Sequence, residues 1–153
     1  MAGMKAEAAG PYDPLLLENQ LCFPLYACAK EIVRRYKPFL DELDLTYTQY
    51  ITMMVMWEQE QLTVKELGER LFLDSGTLTP VLKKLESKGY LSRERSLEDE
   101  RNLLVRITGK GRSLREKAAD IPGKMATCFT LTKEDAVMLK RILENLMGQF
   151  GEE

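Results

Sequence analysis

The stretch that decides the fold is residues 62–90, LTVKELGERLFLDSGTLTPVLKKLESKGY. Its apolar residues recur at intervals of three and four in two runs, which predicts two short helices joined by a tight connection. Thr63 and Glu66 form a T-x-x-E capping box, so the first helix is expected to begin at about Val64. Gly89 is expected at the C′ position that ends the second helix. The stretch therefore predicts a helix-turn-helix.

The second helix of this pair is expected to have an apolar face and a polar face. Asp74 or Ser75 can cap its N-terminus. Its apolar residues form one buried stripe and are Leu78, Val81, Leu82 and Leu85. The opposite face carries Ser75, Gly76, Thr77, Thr79, Lys83 and Lys84. Hydroxyl side chains near the N-terminal end, with lysines behind them, are typical of a helix in the DNA major groove, where they meet base edges and phosphates.

Two observations keep another interpretation of this pair open. Two helices with a short turn are common in any all-α domain, where they only pack together. Pro80 is also awkward in a regular helix, because it removes a hydrogen-bond donor and clashes one turn back. Either the helix kinks there, or it begins near Thr77 and Pro80 falls in its first turn.

Two short segments of strand character follow, at 90–95 (YLSRER) and 103–107 (LLVRI). The polar sequence SLEDERN lies between them, which predicts a β-hairpin with a charged tip, the wing of a winged helix-turn-helix. An arginine at such a tip can reach a narrow minor groove. The candidates are Arg93, Arg95 and Arg101. In the competing interpretation the hairpin is solvated and its arginines pair with acidic neighbours. These are Glu94, Glu98, Asp99 and Glu100. We expect both, with Asp99 positioning one arginine while another points outward.

The composition fits one domain, with 153 residues of which 44 % are hydrophobic. The net charge of −2 does not indicate nucleic acid, but the distribution of charge does. Residues 83–117 contain 11 Lys/Arg and 6 Asp/Glu, whereas the rest of the chain contains 11 and 18. Positive charge is thus concentrated in the part expected to face DNA.

Several classes of protein are excluded or disfavoured. No apolar run is long enough to span a bilayer, and the start, MAGMKAEAAGPYDP, lacks the apolar core of a signal peptide. We therefore expect a cytoplasmic protein with no membrane association, whose three cysteines are reduced at rest. The chain has no histidine, which excludes a histidine triad and most transition-metal sites. No P-loop or dinucleotide fingerprint is present, so we expect neither an enzyme nor a cofactor.

Helices are expected on both sides of this central part. Residues 1–13 are expected to be flexible. A first helix is predicted over 15–36, bent at Pro24 and ended near Tyr36 or Lys37 by Pro38. A second helix is predicted over 46–58.

The C-terminal part is also expected to be helical. Thr108 can cap a helix over 109–119, and Thr132 with Asp135 can cap a last one. Along the last helix the apolar residues repeat at three and four, and they are Leu139, Ile142, Leu143, Leu146 and Phe150. Such a face needs a cover, so the first and last helices are candidates for a homodimer interface, with packing inside the subunit as the alternative. A dimer would place two recognition helices on the half-sites of a pseudo-palindromic operator in double-stranded DNA.

The motifs resemble those of one known family. The wing signature D-x-R-x(5)-[LI]-T is present at 99–108, as DERNLLVRIT, and is similar to that of the MarR family of winged-helix repressors. Four longer segments resemble the organic hydroperoxide resistance regulators within that family. They are ENQLCFPLYA at 18–27, LTYTQY at 45–50, LTVKELGERLFLDSGTLTPVLKKLE at 62–86 and RSLEDERN at 95–102. The resemblance runs from about Leu16 through the last helix and weakens near Cys128.

The resemblance implies a fold and a mechanism. It implies one MarR-type domain over 14–153, with a DNA-binding winged helix-turn-helix at 62–108 and a helical dimerisation part at 14–45 and 109–153. It implies a dimeric repressor whose reactive cysteine, here Cys22, senses organic hydroperoxides, releases DNA when oxidised and so derepresses a peroxide-detoxification gene. Tyrosine hydroxyls hold the thiolate in this family, some of them from the partner subunit. The matching residues are Tyr36 and Tyr47, with Tyr26 one turn from Cys22.

The fate of the oxidised cysteine stays open at this point. Some members of the family form a disulfide with a C-terminal cysteine of the other subunit, and others are capped by small thiols. The resemblance favours the first scheme here, with Cys128 as the resolving residue. Cys28 follows Cys22 by six residues, about 240° around a helix, so those two side chains are expected to point apart.

Three alternatives compete with a peroxide-sensing repressor. The first is a MarR-type repressor released by a non-covalently bound small aromatic ligand. The second is a thiol peroxidase that consumes the peroxide. The third is a dimerisation module that does not bind DNA.

Overall fold

The computed structural model describes residues 10–99 and 101–151. The described part is mainly helical with a small sheet, which confirms the predicted fold class. The helices are α1 (Cys22–Asp41), α2 (Tyr47–Gln59), α3 (Val64–Leu71), α4 (Ser75–Ser87), α5 (Gly109–Ala118), α6 (Ile121–Ala126) and α7 (Lys133–Gln149). The strands are β1 (Gln61–Thr63), β2 (Leu91–Arg95) and β3 (Leu103–Ile107). The chain divides into two compact units, one ending at Ala118 and the other beginning at Ala119.

The first helix starts later than predicted, at Cys22 rather than at 15. The preceding residues form two 3-10 turns, Asp13–Leu15 and Leu17–Asn19. The side-chain amide of Gln20 donates to the carbonyls of Pro14 and Leu16 at 2.6 and 2.9 Å. These carbonyls accept from the Gln20 side chain and not from backbone N–H groups four residues later, as they would in an α-helix, so the segment stays outside α1.

The two prolines of α1 also differ from their predicted roles. Pro24 lies in the first turn, where no intrahelical donor is required, so the predicted bend inside a longer helix was wrong. Pro38 lies inside the helix, which continues to Asp41 rather than ending near Tyr36. Leu40, only 2 % exposed, follows Pro38, and its burial favours the additional turn.

The two helices of the helix-turn-helix begin where the sequence predicts. The Thr63 hydroxyl accepts from the Glu66 N–H at 3.2 Å, and the Glu66 carboxylate accepts from the Thr63 N–H at 2.8 Å, a complete capping box. Asp74 caps α4 by accepting from the Thr77 N–H at 2.8 Å. The helix begins at Ser75, which leaves Pro80 inside it, so the alternative start near Thr77 was wrong.

The C-terminus of α4 is closed by a Schellman arrangement, as the sequence predicts. Gly89 has a φ of +78°, which an L side chain rarely adopts. Its N–H donates to the Glu86 carbonyl at 2.9 Å, and the Tyr90 N–H donates to the Leu85 carbonyl at 3.0 Å. The chain therefore turns directly from α4 into the hairpin.

The wing has a third strand that the sequence analysis missed. The strands β2 and β3 form the predicted antiparallel hairpin. The strand β1 pairs antiparallel with the other side of β3, with Gln61 opposite Arg106 and Thr63 opposite Leu104, so the strand order is β1-β3-β2. The strand β1 is only three residues long, and its partner lies more than 40 residues further along the chain, so its own sequence does not indicate a strand.

The core of the first unit lies between the helix-turn-helix, α2 and the sheet. The most enclosed side chains are Met53, Met56, Leu67, Leu78, Leu82, Leu85, Leu91 and Val105, each at most 2 % exposed. The predicted stripe of α4 supplies three of them, and Val81 is half-buried. The polar face of α4 is consequently turned outward.

In the second unit, α7 is amphipathic but buries no residue. Thr132 caps it as predicted, accepting from the Asp135 N–H at 3.1 Å. Its large exposed apolar residues are Val137, Met138, Leu139, Ile142 and Met147, with Phe150 directly after the helix. No helix of the described residues is long and apolar enough to cross a bilayer.

Candidate nucleic-acid interface and thiol site

The polar face of α4 presents the side chains that the sequence analysis selected. Ser75, Thr77, Lys83 and Lys84 are exposed, and Thr79 is half-buried. The Thr77 hydroxyl also donates to Asp74 at 3.0 Å. The hydrogen bonds from Thr77 hold the pKa of the Asp74 carboxyl below its usual range, so it stays ionised and keeps the helix N-terminus capped. Hydroxyl groups at one end and ammonium groups at the other fit a duplex groove and its phosphates.

Arg93 differs from the other two arginines proposed for the wing. Its side chain is 18 % exposed and donates to the Glu86 carboxylate from Nε at 3.0 Å and from Nη2 at 2.8 Å. Its backbone N–H donates to the other carboxylate oxygen of Glu86 at 3.1 Å. The Arg93 guanidinium holds the pKa of Glu86 below its usual range. This pair joins α4 to β2, so Arg93 is better placed to position the wing than to contact DNA.

The tip of the wing is organised by Asp99, through the backbone rather than through an arginine side chain. Asp99 accepts from the Arg101 backbone N–H at 3.0 Å and from the Asn102 side-chain amide at 3.3 Å, and its carbonyl accepts from the Asn102 N–H at 2.9 Å. Arg95 and Arg101 are both exposed. Glu100, one of the acidic partners considered above, lies outside the described residues.

Cys22 is the first residue of α1, and its side chain is exposed. Tyr26 lies one turn further along, 64 % exposed, with the Lys30 ammonium 5.9 Å from its ring centroid. Tyr36 lies on the same helix, 14 residues after Cys22, which is about 21 Å along the axis at 1.5 Å per residue. Within one chain, only Tyr26 of the predicted tyrosines therefore lies near the thiol.

Tyr36 and Tyr47 instead belong to a cluster of three tyrosines, with Tyr50 as a member that the sequence analysis missed. The Tyr36 ring lies 5.0 Å from the Tyr47 ring and 5.7 Å from the Tyr50 ring, and Tyr47 and Tyr50 are 6.4 Å apart. Burial raises the pKa of all three phenols above the ordinary value near 10, so they are protonated donors at neutral pH. Tyr50 is the most enclosed of the three, at 3 % exposed.

The three cysteines of the described chain are not joined by a disulfide. Cys28 is exposed on α1. Cys128 is half-buried in the second unit, just after α6, with Sγ 3.5 Å from the Lys124 carbonyl. Among the described residues no group of three acidic or cysteine side chains is arranged to hold a metal ion.

The fold and the exposed face of α4 together define a winged helix-turn-helix protein. The family model of the transcriptional regulator SarA/Rot matches residues 34–118, more than half of the chain. The chain is 50 % identical over 136 residues to the organic hydroperoxide resistance transcriptional regulator of Bacillus subtilis, covering 89 % of this chain and 92 % of that protein.

Solved structures agree with these comparisons. Reduced AbfR of Staphylococcus epidermidis bound to DNA is 31 % identical, with a TM-score of 0.75 over 88 % of this chain and 92 % of that one. Disulfide-formed AbfR is 32 % identical, with a TM-score of 0.62 over 86 % and 92 %. The chain therefore belongs to this family of winged helix-turn-helix transcriptional regulators, as its resemblance to the MarR family and the organic hydroperoxide resistance regulators predicted. It is a regulator of transcription and not an enzyme.

Proposed function

We propose that this protein is a homodimeric repressor that binds a pseudo-palindromic operator in double-stranded DNA and releases it when an organic hydroperoxide oxidises Cys22. Release would derepress a peroxide-detoxification gene. The observation that carries the proposal is the position of Cys22, exposed at the N-terminus of α1 and about 21 Å along the helix from Tyr36. Of the predicted donors in its own chain only Tyr26 lies near this thiol, so Tyr36 and Tyr47 can act on it only from a second subunit.

The DNA-binding part of the proposal depends on charge and exposure. Ser75, Thr77 and Thr79 are assigned to base edges in the major groove, and Lys83 and Lys84 to phosphates. Arg95 and Arg101 are assigned to the adjacent minor groove. Arg93 is assigned to positioning, because its guanidinium is already bound by Glu86. The 31 % identical AbfR, solved bound to DNA, supports DNA binding by this fold.

The dimer is assigned to the N- and C-terminal helices. On α1 the exposed apolar residues include Phe23, Leu25, Ile32 and Val33, and α7 buries none of its residues. Exposed apolar surface on two helices is unfavourable in water and is typical of a protein interface. We assign this interface to a second copy of the chain, because a two-fold symmetric dimer matches the two half-sites of a pseudo-palindromic operator. In that arrangement Tyr36 and Tyr47 of one subunit donate to Cys22 of the other. The two parts, 62–108 for DNA and 14–45 with 109–153 for dimerisation, form one domain in this proposal.

The chemistry of sensing is a nucleophilic substitution at oxygen. The Cys22 thiolate attacks the terminal oxygen of ROOH, the O–O bond breaks, and ROH leaves once its alkoxide is protonated. The product is a sulfenic acid, Cys–SOH. Cys128 of the other subunit then attacks the sulfenic sulfur, water leaves, and an intersubunit disulfide forms. The disulfide-formed AbfR supports this second step over capping by a small thiol. Leu16, Leu17, Glu18 and Phe23 line a mostly apolar cleft, and Phe23 directly follows Cys22, which favours hydroperoxides with an alkyl group.

The test uses the full-length reduced protein and a duplex selected by it from a randomised pool. DNA affinity is measured before and after one equivalent of cumene hydroperoxide, in the wild type and in Cys22→Ser, Cys128→Ser and Cys28→Ser. Cys28 is the matched control, an exposed cysteine on the same helix. We expect roughly a tenfold or larger loss of affinity in the wild type and Cys28→Ser, and none in Cys22→Ser.

Non-reducing electrophoresis of the same samples tests the disulfide. A covalent dimer that is absent in both Cys22→Ser and Cys128→Ser supports the intersubunit bond. If Cys22 is oxidised but no covalent dimer forms, Cys22 remains the sensing residue and Cys128 has no part in the mechanism. A response to peroxide that survives in Cys22→Ser would overturn the proposal.

A further inference from the structure

Trp57, the single tryptophan of the sequence, joins α2 to α5. Its indole Nε1 donates to the Gly111 carbonyl at 2.9 Å, across 54 residues of sequence. This bond is partly buried, and it connects the end of α2 with the first turn of α5. We call it the Trp57–Gly111 link.

On one side, the link reaches the tyrosine cluster. The Tyr50 ring lies 6.5 Å from the Trp57 ring in an edge-on arrangement. Tyr50 in turn lies between Trp57 and the two tyrosines assigned to the thiolate, 5.7 Å from Tyr36 and 6.4 Å from Tyr47. A displacement of either outer tyrosine therefore changes the packing of the buried Tyr50 ring, which contacts the indole.

On the other side, the link reaches the end of the recognition helix. The Gly111 N–H donates to the Thr108 hydroxyl at 3.1 Å, and that hydroxyl donates to the Gly89 carbonyl at 2.6 Å. The Thr108 N–H donates to the Tyr90 carbonyl at 3.0 Å. Gly89 and Tyr90 close the C-terminus of α4, so the start of α5 is bound directly to the turn between the recognition helix and the wing.

The fit at Gly111 makes this connection stiff. A Cβ atom at Gly111 would lie 2.2 Å from the Tyr90 carbonyl oxygen and 2.8 Å from the Ile107 side chain. The nearest neighbour is therefore the Tyr90 main chain, which cannot move aside as the end of a flexible side chain could. A movement of the indole is passed to α5 and from there to Gly89 and Tyr90.

We propose that Trp57 is a positioning residue that couples the tyrosine cluster to the recognition helix through the Trp57–Gly111 link. The inference rests on the proposed function, in which oxidation of Cys22 displaces Tyr36 and Tyr47. It adds the route by which that displacement reaches α4 within one subunit. In this proposal Trp57 acts through Gly111 and not by contact with the thiol or with DNA.

A double-mutant cycle on the reduced full-length protein tests this coupling without any oxidation. DNA affinity is measured for the wild type, Tyr36→Leu, Trp57→Phe and the double variant. Trp57→Phe keeps an aromatic ring and removes the indole N–H. We expect Tyr36→Leu to change the Kd for DNA by roughly fivefold or more when Trp57 is present, and by less than about twofold with phenylalanine at position 57.

The same fold-change in both backgrounds would overturn the proposal, and so would no change in either. Thr52→Val is the control, since it removes another buried hydrogen bond of α2, from the Thr52 hydroxyl to the Thr48 carbonyl at 2.7 Å. The effect of Tyr36→Leu is expected to persist in that background. Thermal unfolding checks that each variant folds, and Tyr36→Phe replaces Tyr36→Leu in the cycle if the latter does not.

The double-mutant cycle tests the role of Trp57, and the peroxide experiment tests the proposed function, so either can fail without the other. A wild type that keeps its DNA affinity after oxidation of Cys22 contradicts the proposed function, while the cycle still decides the role of Trp57. If both succeed, Trp57→Phe is expected to permit oxidation of Cys22, measured by mass, and to reduce the loss of DNA affinity that follows. Release of DNA equal to that of the wild type would contradict the role of the link.

Discussion

Glu86, in the last turn of α4, binds the Arg93 guanidinium on β2 at 3.0 and 2.8 Å and the Arg93 backbone N–H at 3.1 Å. One carboxylate thus fixes both the side chain and the main chain of its partner. The recognition helix and the wing are consequently held in one relative orientation, although only a short turn separates them.

This pair predicts different salt dependences for the arginines of the wing. Arg93→Ala is expected to weaken DNA binding several-fold while leaving its dependence on salt concentration unchanged, because Arg93 positions the wing and neutralises no phosphate. Arg101→Ala is expected to lower the slope of log K against log salt by about 1, as loss of one phosphate or groove contact does. Titrations of a fluorescent duplex at several salt concentrations measure both. A reduced slope for Arg93→Ala would contradict the positioning role and indicate that Arg93 contacts DNA directly.

The same pair predicts a pH dependence of stability. Arg93 lowers the pKa of Glu86 in the folded protein, so the pair stabilises the fold above the ordinary glutamate pKa near 4.3 and this contribution is lost as the pH falls through the lowered value. The wild type is therefore expected to be more stable than Glu86→Gln at pH 7, by no more than about 1 kcal/mol for a partly exposed pair. Urea unfolding at pH 7 and in acid should show the difference shrinking. A difference that grows in acid would contradict it.

Local signals explain why the helix-turn-helix and the hairpin were predictable. The caps at Thr63 and Asp74 and the turn at Gly89 depend on residues within four positions of each other, which a sequence displays directly. The start of α1 was misplaced because Gln20, a residue with good helix propensity, uses its side chain to satisfy Pro14 and Leu16 carbonyls.

Contacts between distant segments explain what was missed. Tyr50 was not singled out, because nothing in the sequence of α2 shows that its ring meets those of Tyr36 and Tyr47. Arg93 and Arg101 were both candidates because each is an arginine in or beside the hairpin tip, and only the turn at Gly89 brings Glu86 to the first of them. Residue types therefore indicated which side chains could bind a thiolate or DNA, but only the folded structure shows which side chains contact each other.

The glycine at position 111 predicts a steep steric effect. Gly111→Ala is expected to destabilise the protein by about 1–3 kcal/mol or more, because the new Cβ meets backbone at 2.2 Å. Gly109→Ala, in the same helix but with no atom within 4 Å of the added Cβ, serves as control. We expect the control to stay within about 1 kcal/mol of the wild type in urea unfolding. Equal effects of the two substitutions would contradict the close approach.

The cap of α4 predicts a graded series at position 74. Asp74→Ala is expected to lower the midpoint of unfolding, because the Thr77 N–H loses its acceptor. Asp74→Asn keeps an oxygen acceptor and is expected to recover most of that loss. Chemical unfolding of the three proteins under one condition measures the series. An asparagine variant as unstable as the alanine variant would argue that charge, and not the cap, supplies the stabilisation.

The tyrosine cluster predicts an alkaline transition. Burial raises the pKa of Tyr36, Tyr47 and Tyr50, so their contribution to stability is complete below the ordinary value near 10 and is lost as the pH rises through the raised values. Ultraviolet titration of tyrosinate should therefore show a late-titrating group that Tyr36→Phe diminishes. A late phase that Tyr36→Phe leaves unchanged would contradict the raised pKa of Tyr36.

The pairing of β1 with β3 joins residues 61–63 to residues 104–106 and so closes the segment that contains α3, α4 and β2 into a ring. Neither helix of this segment can then unwind far from its end without breaking strand pairs on the other side of the ring. Amide protons of α3, α4 and the wing should accordingly exchange with deuterated solvent at a common rate, as one cooperative unit. The surface assigned to DNA would then open entirely or not at all, which keeps partly unfolded forms of it rare.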